Sequence, residues 1–175
     1  MSLLSKSLAA PGFLSGLILA AVAASPSARA DDAPAVFAAA GSSWTGTNKL
    51  WLRNPKKPLL SEGRATLAEN TVTYTWAYKG APQTGSIALS GPPDARVAVF
   101  TDTWHSPQPM NFTGTTKDGR TVLLGSYSVG GGKPWGWRIE LTETPDAFTM
   151  RMFNLPPDRT EEIAVEMIGK KAPSP

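Results

Sequence analysis

Thr71-Val72-Thr73-Tyr74-Thr75-Trp76-Ala77-Tyr78-Lys79 decides the fold. Apolar and polar residues alternate through it with a period of two, the repeat of a pleated strand rather than of a helix. Val72, Tyr74, Trp76 and Tyr78 share one face, and Thr71, Thr73, Thr75 and Ala77 share the other. The aromatic face suits an interior and the threonine face suits water.

The same period recurs along the chain after Gly41. Strands are predicted near residues 44–52, 61–68, 71–79, 84–90, 95–104, 109–117, 120–129, 135–143, 147–155 and 161–168. Turn residues separate them. Lys117-Asp118-Gly119-Arg120 is the strongest hairpin signal, because Asp-Gly tolerates the positive φ of a tight primed turn. Glu69-Asn70, Lys79-Gly80, Thr144-Pro145-Asp146 and Pro156-Pro157-Asp158 are weaker turns of the same kind, and Gly130-Gly131-Gly132 reads as a loop tip. Residues 53–58 break the chain after the first strand. No long helical pattern lies between strands, which argues against parallel βαβ units. Sequential hairpins make an up-and-down meander, and such a meander exposes two edges unless it closes. The expected fold is therefore all-β: a closed, antiparallel, calycin-like barrel of about ten strands.

The first thirty residues read as a secretory signal. Lys6 is the basic region, residues 12–24 are the apolar core, and Ala28-Arg29-Ala30 is a small-x-small cleavage site. The apolar run is shorter than the about 20 residues of a transmembrane helix. An uncleaved anchor is the alternative reading. No later segment reads as a membrane span. Cleavage would leave a lead segment at 31–40, in which Phe37-Ala38-Ala39-Ala40 has room for one helical turn. A single barrel domain follows at 41–169, with a disordered tail at 170–175. This places the protein in the periplasm or outside the cell. Losing Lys6 and Arg29 lowers the formal charge of +3 by two. Lys56-Lys57 and Lys170-Lys171 are isolated pairs, read as a solvated turn and a solvated tail. Without a basic stripe interleaved with aromatics, nucleic acid is not an expected partner.

The chain has one histidine and no cysteine. Thiol chemistry, disulfides and cysteine-held metals are excluded, and no multi-histidine metal site forms within one chain. His105 closes Asp102-Thr103-Trp104-His105. Asp102 and His105 have opposite strand parity, so a direct pair requires the strand to end between them. Pro107 and Pro109 place such an end there. His105 reads as a rim residue, a pocket hydrogen-bond group, a general base or a haem ligand. Tyr74, Trp76, Tyr78, Trp104, Tyr127, Trp135 and Trp137 fill a core or line a cavity whose polar tips orient a ligand. Asp102, Arg138, Glu140, Arg151 and Glu166 lie within strands; any that faces inward must be paired. An inward Arg138 would anchor an anion or carboxylate. No Gly-x-Ser-x-Gly elbow, phosphate-binding glycine loop or His-Glu-x-x-His occurs.

Several pieces recur together: Ser43-Trp44-Thr45-Gly46, Leu50-Trp51, the run from Tyr74 to Gly85, Asp102 to His105, Gly125-Ser126-Tyr127, Trp135-Gly136-Trp137-Arg138, Met152-Phe153-Asn154 and Glu161 to Glu166. Over residues 41–168 this set resembles a bacterial domain-of-unknown-function family (number fifteen-seventy-nine). Its members look like calycin barrels related in shape to lipocalins and fatty-acid-binding proteins. The resemblance implies a fold and no activity. It makes Trp76, Gln83, Asp102, Trp104, His105, Trp137 and Arg138 pocket candidates. Phe100 stands where a tryptophan is expected, and the export signal is an addition to the family pattern.

The function expected from these readings is an exported barrel that holds a small hydrophobic or amphipathic molecule. Tyr74, Trp76, Gln83, Asp102, Trp104, His105, Tyr127, Trp137 and Arg138 are its ligand-binding candidates. No metal or cofactor is assigned, and the oligomeric state is left open. The alternatives are an enzyme using Asp102 and His105, although no nucleophile completes the set, and a haem-binding barrel with His105 as ligand.

Overall fold

A computed structural model describes residues 35–52, 57–128, 132–157 and 160–173. The expected signal at 1–30 lies outside these residues, as do parts of the turns expected at 53–58, 130–132 and 156–158. Ten strands are present among the described residues: β1 (Ser43–Leu50), β2 (Leu59–Leu67), β3 (Thr71–Tyr78), β4 (Ala81–Ser90), β5 (Arg96–Asp102), β6 (Ser106–Lys117), β7 (Arg120–Tyr127), β8 (Trp135–Glu143), β9 (Ala147–Leu155) and β10 (Glu162–Lys171). Each pairs antiparallel with its neighbour in sequence, and β1 pairs with β10 to close an up-and-down barrel.

The strand bounds differ from expectation where turn chemistry or closure intervenes. Lys79 and Gly80 both take positive φ, 49° and 81°, so the hairpin is tight and pairing resumes at Tyr78↔Ala81. β4 therefore begins three residues early. Asp118 and Gly119 make the expected turn in the same way, at φ 51° and 72°. β6 begins at Ser106, ahead of its two prolines. The ladder to β5 skips from Phe100↔Met110 to Asp102↔Ser106, and β7 joins only at Phe112↔Gly125. The prolines thus fall where no ladder bond is required of them. Lys170 and Lys171 are strand residues rather than the start of a tail. They pair with Thr45 and Trp44, and Ala172 N–H donates to Ser43 C=O. Sealing β1 along its whole length requires them.

Alternation places the core inside. Val72, Tyr74 and Trp76 of β3, Trp137, Ile139 and Leu141 of β8, and Phe148, Met150 and Met152 of β9 are all buried. β9 has apolar residues on both faces, and neighbours settle its orientation. Arg151 points out to Glu166 at 2.9 Å, and Glu166 also takes Lys49 at 2.8 Å across the β1–β10 seam. Half-exposed pairs of this kind contribute about 0–1 kcal/mol each.

Glycines adjust the packing where strands come close. Gly125 lies under the Phe112 ring and Gly85 under the Tyr74 ring. Gly46 and Gly114 instead lie against the backbone of the neighbouring strand.

The two ends of the barrel differ. The lead segment covers one of them. The N–H groups of Val36 and Phe37 donate to Glu69 C=O, and those of Ala38 and Ala39 donate to the Glu143 carboxylate at 2.9 and 2.7 Å. Residues 38–41 form a turn, not a helix, ending at Gly41 with φ 82°. Phe37 is buried edge-on against Phe148, which in turn meets Trp44. The opposite end carries the β1–β2, β3–β4, β5–β6, β7–β8 and β9–β10 connections.

Candidate functional site

β5 presents Arg96, Ala98, Phe100 and Asp102 to the interior by simple alternation. The strand then stops, and residues 103–105 turn. Asp102 holds that turn: its Oδ1 accepts the Trp104 N–H at 2.5 Å and the His105 N–H at 3.2 Å. Short carboxylate side chains favour such local turns. Its Oδ2 accepts the Tyr74 hydroxyl at 2.5 Å. Tyr74 reaches it because register aligns Tyr74, Gly85 and Asp102 across three strands. The missing side chain at Gly85 lets the phenol cross.

The turn also brings His105 back to Asp102, with Nδ1 3.3 Å from Oδ1. The approach is poorly aligned for a hydrogen bond, and Nδ1 has no partner that meets hydrogen-bond geometry. Burial alone would raise the Asp102 carboxyl. The contacts from His105 and Tyr74, the His105 charge and the Trp104 N–H outweigh it and hold the group below its ordinary value. Tyr74 moves the other way: burial, then the Asp102 charge and hydrogen bond, push its hydroxyl well above the usual range. Tyr74 is therefore a neutral donor.

Aromatic side chains extend from the turn in two directions. Trp104 packs on Tyr78 at 4.4 Å and on Trp76 at 5.5 Å. His105 meets Trp137 edge-on at 4.4 Å, and Trp137 meets Tyr127 at 5.3 Å. The Tyr127 hydroxyl donates to Asn154 Oδ1 at 2.7 Å. Tyr74, Trp76, Asp102, Trp104, His105, Tyr127 and Trp137 therefore form one contiguous group at the barrel end opposite Phe37.

Two expected members stand apart. Gln83 sits beside Trp76 in register, but its Oε1 accepts the Thr103 hydroxyl at 2.9 Å, so it braces the turn. Arg138 lies on the outer face, bound to Glu140 and Glu161 with its guanidinium 4.0 Å above the Phe153 ring. The inward anion anchor considered for it is not formed. Alternation with the buried Trp137 and Ile139 turns Arg138 outward, where two carboxylates receive it.

Three polar side-chain atoms are buried without a hydrogen-bond partner among the described residues: Trp137 Nε1, His105 Nδ1 and Asn48 Oδ1. Asn48 was not a site candidate, although its parity with Trp44 and Leu50 points it inward. Arg96 is a second buried polar residue outside the candidate set. It is held by Gly91 C=O and by Thr116 Oγ1 at 3.1 Å, near the covered end.

A concavity of about 920 Å³ lies over the threonine face of β2–β5, lined by Arg64, Thr66, Thr73, Thr75, Thr84 and Thr101, and it borders the site through Tyr74, Gly85, Asp102 and Thr103. The threonines carry solvent-facing hydroxyls of the kind seen in the Thr71–Thr75 alternation. None of the three unpartnered atoms belongs to its lining. Among the described residues, no three His, Asp or Glu side chains converge as a metal site would require. No protein-family model matches the chain, and no curated protein is similar to it.

Proposed function

We propose that the protein is an exported barrel that binds a small, partly apolar molecule at its aromatic end. Trp76, Trp104, Tyr127 and Trp137 supply the walls, and His105 and Trp137 supply polar contacts. The closed calycin-like barrel supports this reading, since barrels of about this size hold single small ligands. The signal-like N-terminus and the family resemblance agree with it.

The observation that carries the reading is Trp137 Nε1. Its residue is only 3% exposed, and the N–H has no acceptor among the described residues. Leaving such a group unpaired costs about 1–3 kcal/mol, and native interiors rarely do so. A guest with an acceptor removes that cost and covers the neighbouring rings.

Nile red, a neutral probe whose emission shifts on leaving water, tests this directly. Its emission should shift blue on binding and quench the tryptophans. Trp76→Ala and Trp104→Ala should abolish the response while circular dichroism keeps the strand signal. No response in the parent chain, or an undiminished one in both variants, rejects the interior site. Arg138→Ala provides the outward control. It should change probe affinity less than about twofold, because its guanidinium lies on the other side of the sheet, bound to Glu140 and Glu161.

A further inference from the structure

The interior reading leaves the ligand's polar group undefined, and the placement of charge around Trp137 defines it. We infer that the guest presents an uncharged hydrogen-bond acceptor, such as a carbonyl or ether oxygen, to Trp137 Nε1, and that carboxylate ligands are selected against. This rests on the interior-binding reading above.

An indole N–H only donates, so the group that completes it must accept. Neutral carbonyls and carboxylates both accept, and local charge separates them. Among the described residues, no lysine or arginine is placed on the interior face at the aromatic end. Arg138 is outside, committed to Glu140 and Glu161. Arg96 is inside but near the other end, committed to Gly91 and Thr116. Lys57, Lys79 and Lys133 are exposed on the connections.

What does stand beside Trp137 is His105, 4.4 Å away between ring centres, and behind it Asp102. Their summed charge is zero with His105 protonated and negative with it neutral, and never positive. Tyr74 and the two backbone N–H groups already satisfy the Asp102 oxygens. Asp102 therefore has no need of a cationic guest, yet its charge repels an anionic one. A carboxylate here would exchange its hydration for the Trp137 N–H and at most His105, whose charge Asp102 already balances, which is a poor exchange. A ketone, ester or ether oxygen gains the same donor and has little hydration to lose.

Three probes of nearly equal shape decide the matter: acetylnaphthalene, naphthoate and ethylnaphthalene, titrated into the purified chain near neutral pH by calorimetry and tryptophan quenching. The ketone should bind about 3–10-fold tighter than the ethyl compound, the range of one neutral hydrogen bond. It should bind at least about tenfold tighter than naphthoate, as an unpaired charge taken from water requires. Trp137→Phe removes the N–H together with part of the indole wall, so it should erase the ketone's advantage over the ethyl compound whatever it does to the affinity the two probes share. Naphthoate binding as tightly as the ketone overturns the inference while leaving interior binding intact. So does a ketone no tighter than the ethyl compound, or an advantage that survives Trp137→Phe. Failure of all three probes together with Nile red overturns the interior site itself.

Discussion

Gly114→Ala should destabilise the barrel by about 3 kcal/mol, at the upper end of ordinary overpacking. Gly114 pairs with Arg96 on one side and Leu123 on the other. A Cβ added there would lie well under 3.0 Å from the Val122 carbonyl oxygen and 2.9 Å from the Leu123 Cα. Both obstacles are backbone, so no rotamer change relieves them. β6 and β7 must separate, and in a closed sheet the displacement is carried round the ring. Gly46→Ala meets the backbone of Ile168 and Gly169 and should behave alike. Gly63→Ala is the control. Its Cβ meets chiefly the flexible Met167 side chain, so it should cost less than about 1 kcal/mol. Urea unfolding of the three variants measures these differences. Equal midpoints for Gly114→Ala and Gly63→Ala would mean that strand approach does not limit the fold.

Asp102→Ala should cost about 3 kcal/mol for a different reason. It orphans three donors at once: the Tyr74 hydroxyl and the N–H groups of Trp104 and His105. Buried unpaired donors cost about 1–3 kcal/mol each, moderated here because the turn can rearrange toward water. Tyr74→Phe removes one of these bonds and should cost about 1 kcal/mol.

The pH dependence carries the same signature. Asp102 is held below its ordinary value, and so is Glu166, where burial would raise it but Lys49 and Arg151 outweigh burial. A carboxylate depressed in the folded state binds fewer protons than in the unfolded state, so stability rises with pH across that window. The contribution is complete above about pH 5 and drains as the pH falls through about 4 and below. Asp102→Ala should flatten part of this acid loss. An unchanged acid slope in the variant would show that Asp102 is not held as an ion by its partners.

Alternation in β3 and β8 made the barrel and its interior faces readable, because Tyr74 and Trp76 oppose threonines and Trp137 and Ile139 oppose Arg138 and Glu140. The same parity placed Asp102 beneath Phe100 and set Arg138 opposite Trp137. The outward position of Arg138 was thus legible, although its arginine chemistry invited an inward role. The Tyr74–Asp102 bond was not legible. It depends on the register of three strands and on Gly85 lying between the partners, which no single segment specifies. Lys170 and Lys171 misled for a related reason: paired charges resemble a tail until β1 is seen to need a partner along its whole length. Asn48 was hidden by a polar flank, Thr47 and Lys49, that masks its inward face.

The β1–β10 seam sets the order in which such a molecule can assemble. Every other ladder joins strands adjacent in the chain, so hairpins form after short searches. The seam must bring together Trp44 and Lys171 from opposite ends of the described chain. Contacts that span long stretches of chain are the slow ones. A nearly complete barrel with its seam unsealed is a curved sheet with two bare edges, and each edge can accept a strand from another copy. The Lys49–Glu166–Arg151 cluster on the outside of the seam places charge on both edges of that intermediate. The cluster adds little to the finished fold. In the open sheet its charges lie on opposite edges, Lys49 on β1 and Glu166 on β10, so they oppose joining two β1 edges or two β10 edges and favour the β1–β10 match that closes the ring.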